Sequence, residues 1–249
     1  GTLYVGSRDA GNVYAVRDFD TNGIADDIQV IASGINEPVG VDIKDGDLYY
    51  SAIRSIYRIS DVAQHIETPA TPELVFDGYP TEQHHGWKFI RFGPDGRLYV
   101  PIGAPCNICD IEDPYASITR MHEDMAGYDI IARGIRNSVG FDWHPVTSEL
   151  WFTDNGRDDW GPDTEGTSNN PPCEFNRIPG AVIDPHFGYP FFHGMSQLDP
   201  DGFGAAKDPS DYIEPEQPLG THVPPLGMRF YNGSMFPAEY QGDAFIAEH

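Results

Sequence analysis

The chain is predicted to be an all-β propeller, on three observations: a strand motif that recurs, a hairpin turn before several of its copies, and abundant turn residues. The motif reads Gly1-Thr-Leu-Tyr-Val-Gly, Gly46-Asp-Leu-Tyr-Tyr-Ser, Gly96-Arg-Leu-Tyr-Val-Pro, Ser148-Glu-Leu-Trp-Phe-Thr and Gly242-Asp-Ala-Phe-Ile-Ala. Each copy is an aromatic and aliphatic run entered through Gly or Ser, as a buried strand would be. Three copies follow a second strand and a turn, in Gly40-Val-Asp-Ile-Lys-Asp-Gly, Ile90-Arg-Phe-Gly-Pro-Asp-Gly and Gly140-Phe-Asp-Trp-His-Pro-Val-Thr-Ser. Asp-Gly turns close hairpins because Gly accepts a positive φ. Units of about 40 to 50 residues, each unable to bury its own faces, are what propeller blades look like in sequence.

Composition agrees. Among 249 residues there are 27 Gly and 22 Pro, with 12% aromatics, which suits short strands joined by tight turns. Helical segments are scarce: Asp61–His65 is expected to form a short one, while Ala116–Asp124 reads equally well as strand. The net charge of −24 argues against nucleic acid and anionic membrane surfaces as partners. No apolar run reaches the length of about 18 residues that a membrane span needs. The chain is expected to be one propeller domain over residues 1–249, incomplete at both ends. It opens in a strand at Gly1-Thr-Leu-Tyr-Val, without a leader segment, and closes in one at Ala247-Glu-His249.

The three cysteines are unevenly spaced. Cys106 and Cys109 form a C-x-x-C without the further ligands of a zinc site or the βαβ context of a redox motif. A local disulfide and a pair of free thiols are the two readings. Cys173 reads as a packed small residue.

Four segments carry candidate chemistry. In Glu82-Gln-His84-His85-Gly86-Trp87, a His pair at a loop-to-strand junction offers a general base; packed structural histidines are the plainer reading. In Arg133-Gly-Ile-Arg136-Asn137-Ser-Val-Gly140, an Arg beside an Asn can aim a cation and an amide at an anionic oxygen; a surface turn is the alternative. Thr153-Asp-Asn-Gly156-Arg157-Asp-Asp159, with Glu174 and Asn176 nearby, has the oxygen-rich character of a calcium loop, although acidic turns are common. The most specific spacing is Asp18-Phe-Asp20-Thr-Asn22-Gly23-Ile24-Ala-Asp26. It sets oxygens at positions 1, 3, 5 and 9, with Gly at 6 and a main-chain carbonyl at Ile24, like the opening of an EF-hand loop. The Glu of position 12 is missing, because Gln29 stands there. A calcium ion at this loop would be structural.

Together these segments resemble the soluble glucose/sorbosone dehydrogenase family, closest to its L-sorbosone dehydrogenase-like branch. The motifs that carry the resemblance are His84-His-Gly-Trp with Arg91-Phe-Gly-Pro-Asp-Gly-Arg-Leu-Tyr-Val, then Gly103-Ala-Pro-Cys-Asn-Ile-Cys109. Further along stand Arg133-Gly-Ile-Arg-Asn-Ser-Val-Gly, His144-Pro-Val-Thr-Ser-Glu-Leu-Trp151, Thr153-Asp-Asn-Gly-Arg-Asp158 and Gly227-Met-Arg-Phe-Tyr-Asn. The resemblance implies a six-bladed propeller, of which this chain would cover about five blades. It also implies pyrroloquinoline quinone (PQQ), held by calcium on the axis, that oxidises an aldose or sugar aldehyde and passes electrons to an external acceptor. By position, His85 resembles the general base that assists hydride transfer to the quinone. Arg136 and Asn137 resemble the pair holding the quinone oxygen, Trp87 and Arg157 further cofactor contacts, and the carbonyls of Gly156 and Arg157 the calcium ligands. A periplasmic or extracellular location follows from the family. Two departures stand out: Ala104 replaces an Asp that orients the catalytic His, and Val139 replaces a Gln that touches the cofactor. Two rival readings remain, a calcium-dependent lactonase and a non-catalytic propeller that binds carbohydrate or protein.

Overall fold

The structure, a computed structural model, describes residues 1–160, 170–180, 182–221 and 223–249. It is all-β and of propeller type, with strands grouped into small sheets in chain order. The first sheet holds β1 (Thr2–Ser7), β2 (Asn12–Arg17) and β3 (Asp27–Ala32). The second holds β4 (Val41–Lys44), β5 (Asp47–Ser51), β6 (Ser55–Ile59) and β7 (Glu73–Asp77), in that order. In the third, β8 (Arg91–Phe92), β9 (Leu98–Ile102), β10 (Ser117–Met121) and β11 (Tyr128–Arg133) likewise run in sequence order. In the fourth, β12 (Phe141–Trp143), β13 (Leu150–Asp154) and β14 (Glu174–Arg177) continue into β17. Two short strands, β15 (Phe192–His193) and β16 (Gln197–Leu198), pair with each other before β17 (Gln217–Pro218). The last pair is β18 (Pro225–Phe230) with β19 (Ala244–Glu248). Four sheets of three or four strands thus have blade form among the described residues. None of their helices is long and apolar enough to cross a membrane.

The repeated motif marks the same structural place in three sheets. β5, β9 and β13 are each the second strand of a four-stranded sheet, flanked on both sides. All five residues of β9 are buried, as are Leu48, Tyr49, Tyr50 and Ser51 of β5. An interior strand covered on both faces reads as a continuous apolar run rather than an alternating one. In β2, the middle strand of the first sheet, the alternation returns, with Val13 and Ala15 fully buried between partly exposed neighbours. The turn chemistry is also as the sequence suggests. Between β4 and β5, Asp45 and Gly46 both take positive φ, 53° and 90°, the backbone of a two-residue type I′ hairpin. The segment Asp61–His65 contains only a single 3-10 turn, Val62–Gln64, and within Ala116–Asp124 the residues Ser117–Met121 form the strand β10.

Two compact units can be distinguished, residues 1–100 with 120–129, and residues 101–119 with 130–249. The first is centred on Val13, Ile31, Leu48, Tyr50 and Ile59, packed with Val62 and Ile66. In the second, Phe175, Met228 and Phe230 pack with Trp151 and Ile246, and Phe152 meets Phe187 edge-on at 4.9 Å.

The interior of the first unit also contains a cation. Lys88 is 1% exposed. Its Nζ donates to the carbonyl of Gly86 at 2.7 Å and lies 5.6 Å from the Tyr79 ring centroid. Its own carbonyl accepts from Ser51 Oγ at 2.8 Å. Burial pulls the amine down to about 8, while the charge of Glu82 works in the opposite direction.

Two outcomes follow. Leu48→Ala should cost about 2–5 kcal/mol in urea unfolding, as fully buried leucines do, whereas Leu74→Ala, at a site 52% exposed, should stay within about 0.5 kcal/mol. For Lys88 the charged form is the disfavoured one in the fold. Between pH 8 and its ordinary value of 10.5 the unfolded chain therefore binds the extra proton, and stability rises with pH across that window. Relative to Lys88→Met, the wild type should gain up to about 3 kcal/mol between pH 7 and pH 10.5. A difference that stays constant with pH would show that the ammonium is not desolvated.

Candidate functional site

Loops at the strand ends of the second unit converge on one buried carboxylate. Asp154, the last residue of β13, accepts from the main-chain N–H of Arg136 at 2.8 Å and of Asn137 at 2.6 Å. The next residue, Asn155, donates its Nδ2 to the Asn137 carbonyl at 3.0 Å. Ala104 adds its N–H to the Arg136 carbonyl at 2.8 Å. The Arg136–Asn137 segment is therefore pinned by main chain and side chain together, from the ends of β9 and β13. Ala104 itself is fully buried against Ala116 and Tyr189, a packing role where the resemblance leads one to look for an Asp.

The Arg136 side chain is buried, the residue being only 5% exposed. Its Nε donates to the Asn107 carbonyl at 2.9 Å and Nη2 to Asn107 Oδ1 at 2.8 Å. Its Nη1 donates to the carbonyls of Asn155 at 3.2 Å and Gly156 at 3.0 Å. All four acceptors are neutral. Desolvation lowers the pKa of the guanidinium, and the charge of Asp154 works against that shift from a distance. A buried cation surrounded by neutral oxygens is costly unless an anion joins it.

Across β13 and β14, Asp154 stands directly opposite Glu174. Glu174 accepts from Gly194 N–H at 2.7 Å and from Asn176 Nδ2 at 3.0 Å. Burial pushes both carboxyls upward, and the Asp154 charge raises Glu174 further. Beside them, Asn155 Oδ1 and Asn176 Oδ1 are buried without a hydrogen-bond partner among the described residues. Orphaned amide oxygens next to buried carboxylates are a donor set suited to a hard cation such as calcium.

Gly156 fits tightly: a side chain there would meet the Pro172 and Pro171 carbonyls at 2.9 and 3.0 Å. Its N–H donates to Cys173 Sγ at 3.4 Å, which gives the lone buried thiol a packing place. The Arg157 side chain, in contrast to Arg136, is consumed by acids. Its Nη1 lies 2.7 Å from Asp199 and 2.9 Å from Asp201, and Asp199 also pairs with His193 Nε2 at 2.8 Å. Of the two cysteine readings, the disulfide holds: Cys106 is bonded to Cys109.

In the first unit, His85 sits in a tight turn at φ 52°, a left-handed conformation uncommon for a residue with Cβ. Gly86 N–H closes the turn on the Gln83 carbonyl at 2.9 Å, and Lys88 holds the Gly86 carbonyl from beneath. The rings of His84 and His85 lie 4.1 Å apart; His85 and Trp87 are half-buried. In the loop between β2 and β3, one carboxylate oxygen from each of Asp18, Asp20 and Asp26 lies within 4.8 Å of the others. Asp18 caps the N–H groups of Thr21 and Gly23, at 2.7 and 2.8 Å, and Asn22 Oδ1 accepts from Ile24 N–H at 2.7 Å.

Three residues that organise these places were not singled out from sequence. Asn107 is hidden inside the C-x-x-C, where the thiols draw attention. Asp154 appears only as one oxygen in an acidic run. Lys88 has no sequence signal at all, since nothing local marks a lysine as buried.

Comparison with known proteins bears on the fold and the family of the chain. The sequence profile of the glucose/sorbosone dehydrogenase family matches residues 55–248. An uncharacterised protein of Borreliella burgdorferi is 32% identical over 259 residues, across 100% of this chain and 64% of that protein. Among solved structures, the holo form of the pyranose dehydrogenase PQQ domain from Coprinopsis cinerea superposes with a TM-score of 0.76 at 17% identity, covering 94% of this chain and 66% of that one. The calcium structure of a Trichoderma reesei carbohydrate-active enzyme of family AA12 gives 0.74 at 21%, covering 93% and 68%. The PQQ-bound aldose sugar dehydrogenase of Streptomyces coelicolor gives 0.63 at 20%, covering 92% and 68%. The chain thus spans slightly under two thirds of the length of the Borreliella and Coprinopsis proteins. The profile match and the long alignment place this chain in the glucose/sorbosone dehydrogenase family.

Proposed function

We propose that the protein is a PQQ-dependent oxidoreductase acting on an aldose or a sugar aldehyde of the sorbosone kind, with calcium as the cofactor's metal. The observation that carries this reading is the Arg136 guanidinium, buried among neutral oxygens and lacking a contacting carboxylate among the described residues. Such a group is prepared for an anionic oxygen supplied from outside the chain. Bound PQQ with its calcium supplies the two-electron acceptor. His85 takes the proton from the substrate hydroxyl, its place in the turn held by the Lys88 contact to Gly86. Arg136 and Asn137 would hold an anionic oxygen of the cofactor, with Trp87 as a further contact. The Gly156 carbonyl retains a second lone pair beyond the one taken by Arg136, and with the Arg157 carbonyl it offers calcium main-chain ligands. The Arg157 guanidinium acts as a structural brace. The complete domain has six blades, with β18 and β19 in the blade that follows the four described. Electrons leave to an external acceptor, and an oxidising location such as the periplasm or the exterior suits the Cys106–Cys109 disulfide.

A second reading has one observation in its favour. Asp154, Asn155, Glu174 and Asn176 form a buried acid-and-amide set of the kind a calcium-dependent lactonase would need. The two separate cleanly, since a lactonase needs calcium alone and releases acid without reducing a dye.

In the full-length protein, dye reduction over a panel of aldoses and sugar aldehydes should require both PQQ and calcium. His85→Ala should lower kcat about 10²–10⁴-fold, and Arg136→Lys should weaken PQQ binding about tenfold, because an ammonium cannot reproduce the planar set of bonds to Asn107, Asn155 and Gly156 that holds the charge in place. Lactone hydrolysis with calcium alone, and no PQQ binding, would establish the rival instead. The Asp18–Asp26 loop makes a separate prediction: calcium at 100 times its Kd should stabilise the protein by about 2.7 kcal/mol, read as a rise in Tm. Asp18→Asn with Asp26→Asn should remove the part of that rise due to this loop and leave PQQ-dependent activity intact.

A further inference from the structure

We propose that Asn107 is a positioning residue that keeps the charge of Arg136 available to an anionic ligand, and that the Cys106–Cys109 disulfide fixes Asn107 for this task. The proposal rests on the reading of Arg136 as the cofactor's anion partner and adds the device that makes it one.

The Nε and Nη2 hydrogens form the edge of a guanidinium on which a carboxylate usually docks with two parallel bonds. Here a neutral residue occupies that edge with two oxygens of its own, the Asn107 main-chain carbonyl at 2.9 Å and its Oδ1 at 2.8 Å. The fork is satisfied in geometry and left unneutralised in charge. Few residues can do this: the acceptor pair needs a side-chain oxygen at the distance Asn provides, while Asp would add the anion that cancels the effect.

Asn107 is in turn held on its other sides. Its Nδ2 donates to the Asp158 carbonyl at 3.0 Å, and Asp158 N–H donates back to Oδ1 at 2.9 Å. These two bonds fix which end of the amide faces Arg136. Tyr189 Oη donates to the Asn107 carbonyl at 3.2 Å and lies 3.6 Å from Cys106 Sγ. The disulfide closes the main chain around the residue, with a sequence separation of 3. A loop this short leaves the Asn107 carbonyl little freedom to turn away from the guanidinium. The covalent link and the polar clamp thus serve one residue.

The test uses the full-length protein and the variants Asn107→Asp, Asn107→Ala and the double Cys106→Ser/Cys109→Ser. Three quantities are measured: PQQ affinity in calcium by spectroscopic titration, Tm, and the Arg136 Nε–H resonance in ¹⁵N-arginine-labelled protein, assigned by its loss in Arg136→Lys. Asn107→Asp should keep Tm within a few degrees while PQQ affinity falls at least tenfold, a split that a merely structural role would not give. Asn107→Ala should shift the Nε–H resonance, speed its exchange with water and weaken PQQ about tenfold. The double serine variant should move affinity and resonance in the same direction, less far. Wild-type PQQ affinity in Asn107→Asp, or an unmoved resonance in Asn107→Ala, overturns the proposal. If the wild type binds no PQQ, the cofactor reading falls by itself, and the resonance in Asn107→Ala then decides whether the clamp exists.

Discussion

The carboxylate of Asp154 closes a strand and opens a site at the same time. A β-strand end leaves main-chain groups in search of partners, and here those of the neighbouring loop are taken by a side chain. By accepting both the Arg136 and Asn137 N–H groups, Asp154 turns two successive amides toward itself and the Arg136 side chain toward Asn107, Asn155 and Gly156. Without that carboxylate the loop between β11 and β12 would lose its register against β13. Because Asp154 is buried, the arrangement is held in a low dielectric, where charge-assisted hydrogen bonds are strong and an unpaired group is expensive.

The same burial gives the opposed pair Asp154 and Glu174 its character. Two carboxyls facing each other across β13 and β14 cannot both carry charge cheaply, and both are displaced upward by desolvation. Main-chain and amide donors relieve part of this for each, through Arg136, Asn137, Gly194 and Asn176. The oxygens of Asn155 and Asn176, unpartnered among the described residues, add to the negative potential. An apolar pair would stabilise these strands more simply, so the polar set makes sense as a site and not as a core.

Much of the fold was legible because it follows from local rules. Asp45-Gly46 is the preferred dipeptide of a type I′ hairpin, and the runs at β5, β9 and β13 are nearly continuous because residues on both faces of these strands are buried. Strands of two residues, such as β15, β16 and β17, carry no period and left no trace in the sequence. The segments of the candidate site stood out for a related reason. Arg136, Asn137 and Gly156 lie in loops whose residue types already suggest anion and cation chemistry. What could not be read were contacts between distant segments: the Asn107 oxygens on Arg136, Lys88 beneath the His85 turn, and Asp199 under Arg157. These depend on which loops meet, and residue type alone does not say that.

The two arginines of the site show how partners, and not identity, decide a role. Arg136 and Arg157 are both buried, at 5% and 3% exposure, and both follow the ends of strands in loops rich in oxygen. Arg157 touches two carboxylates, one of them wholly buried and shared with His193. Its charge is met inside the chain, so an incoming anion would have to displace Asp199 or Asp201. Arg136 touches four neutral oxygens, and its charge is met only at a distance. In a chain with a net charge of −24, carboxylates are plentiful, so a guanidinium without one in contact among the described residues is a local exception to the composition. An anion entering the second unit gains most where the cation is already desolvated, already oriented and not yet paired. That condition is satisfied at Arg136 and not at Arg157.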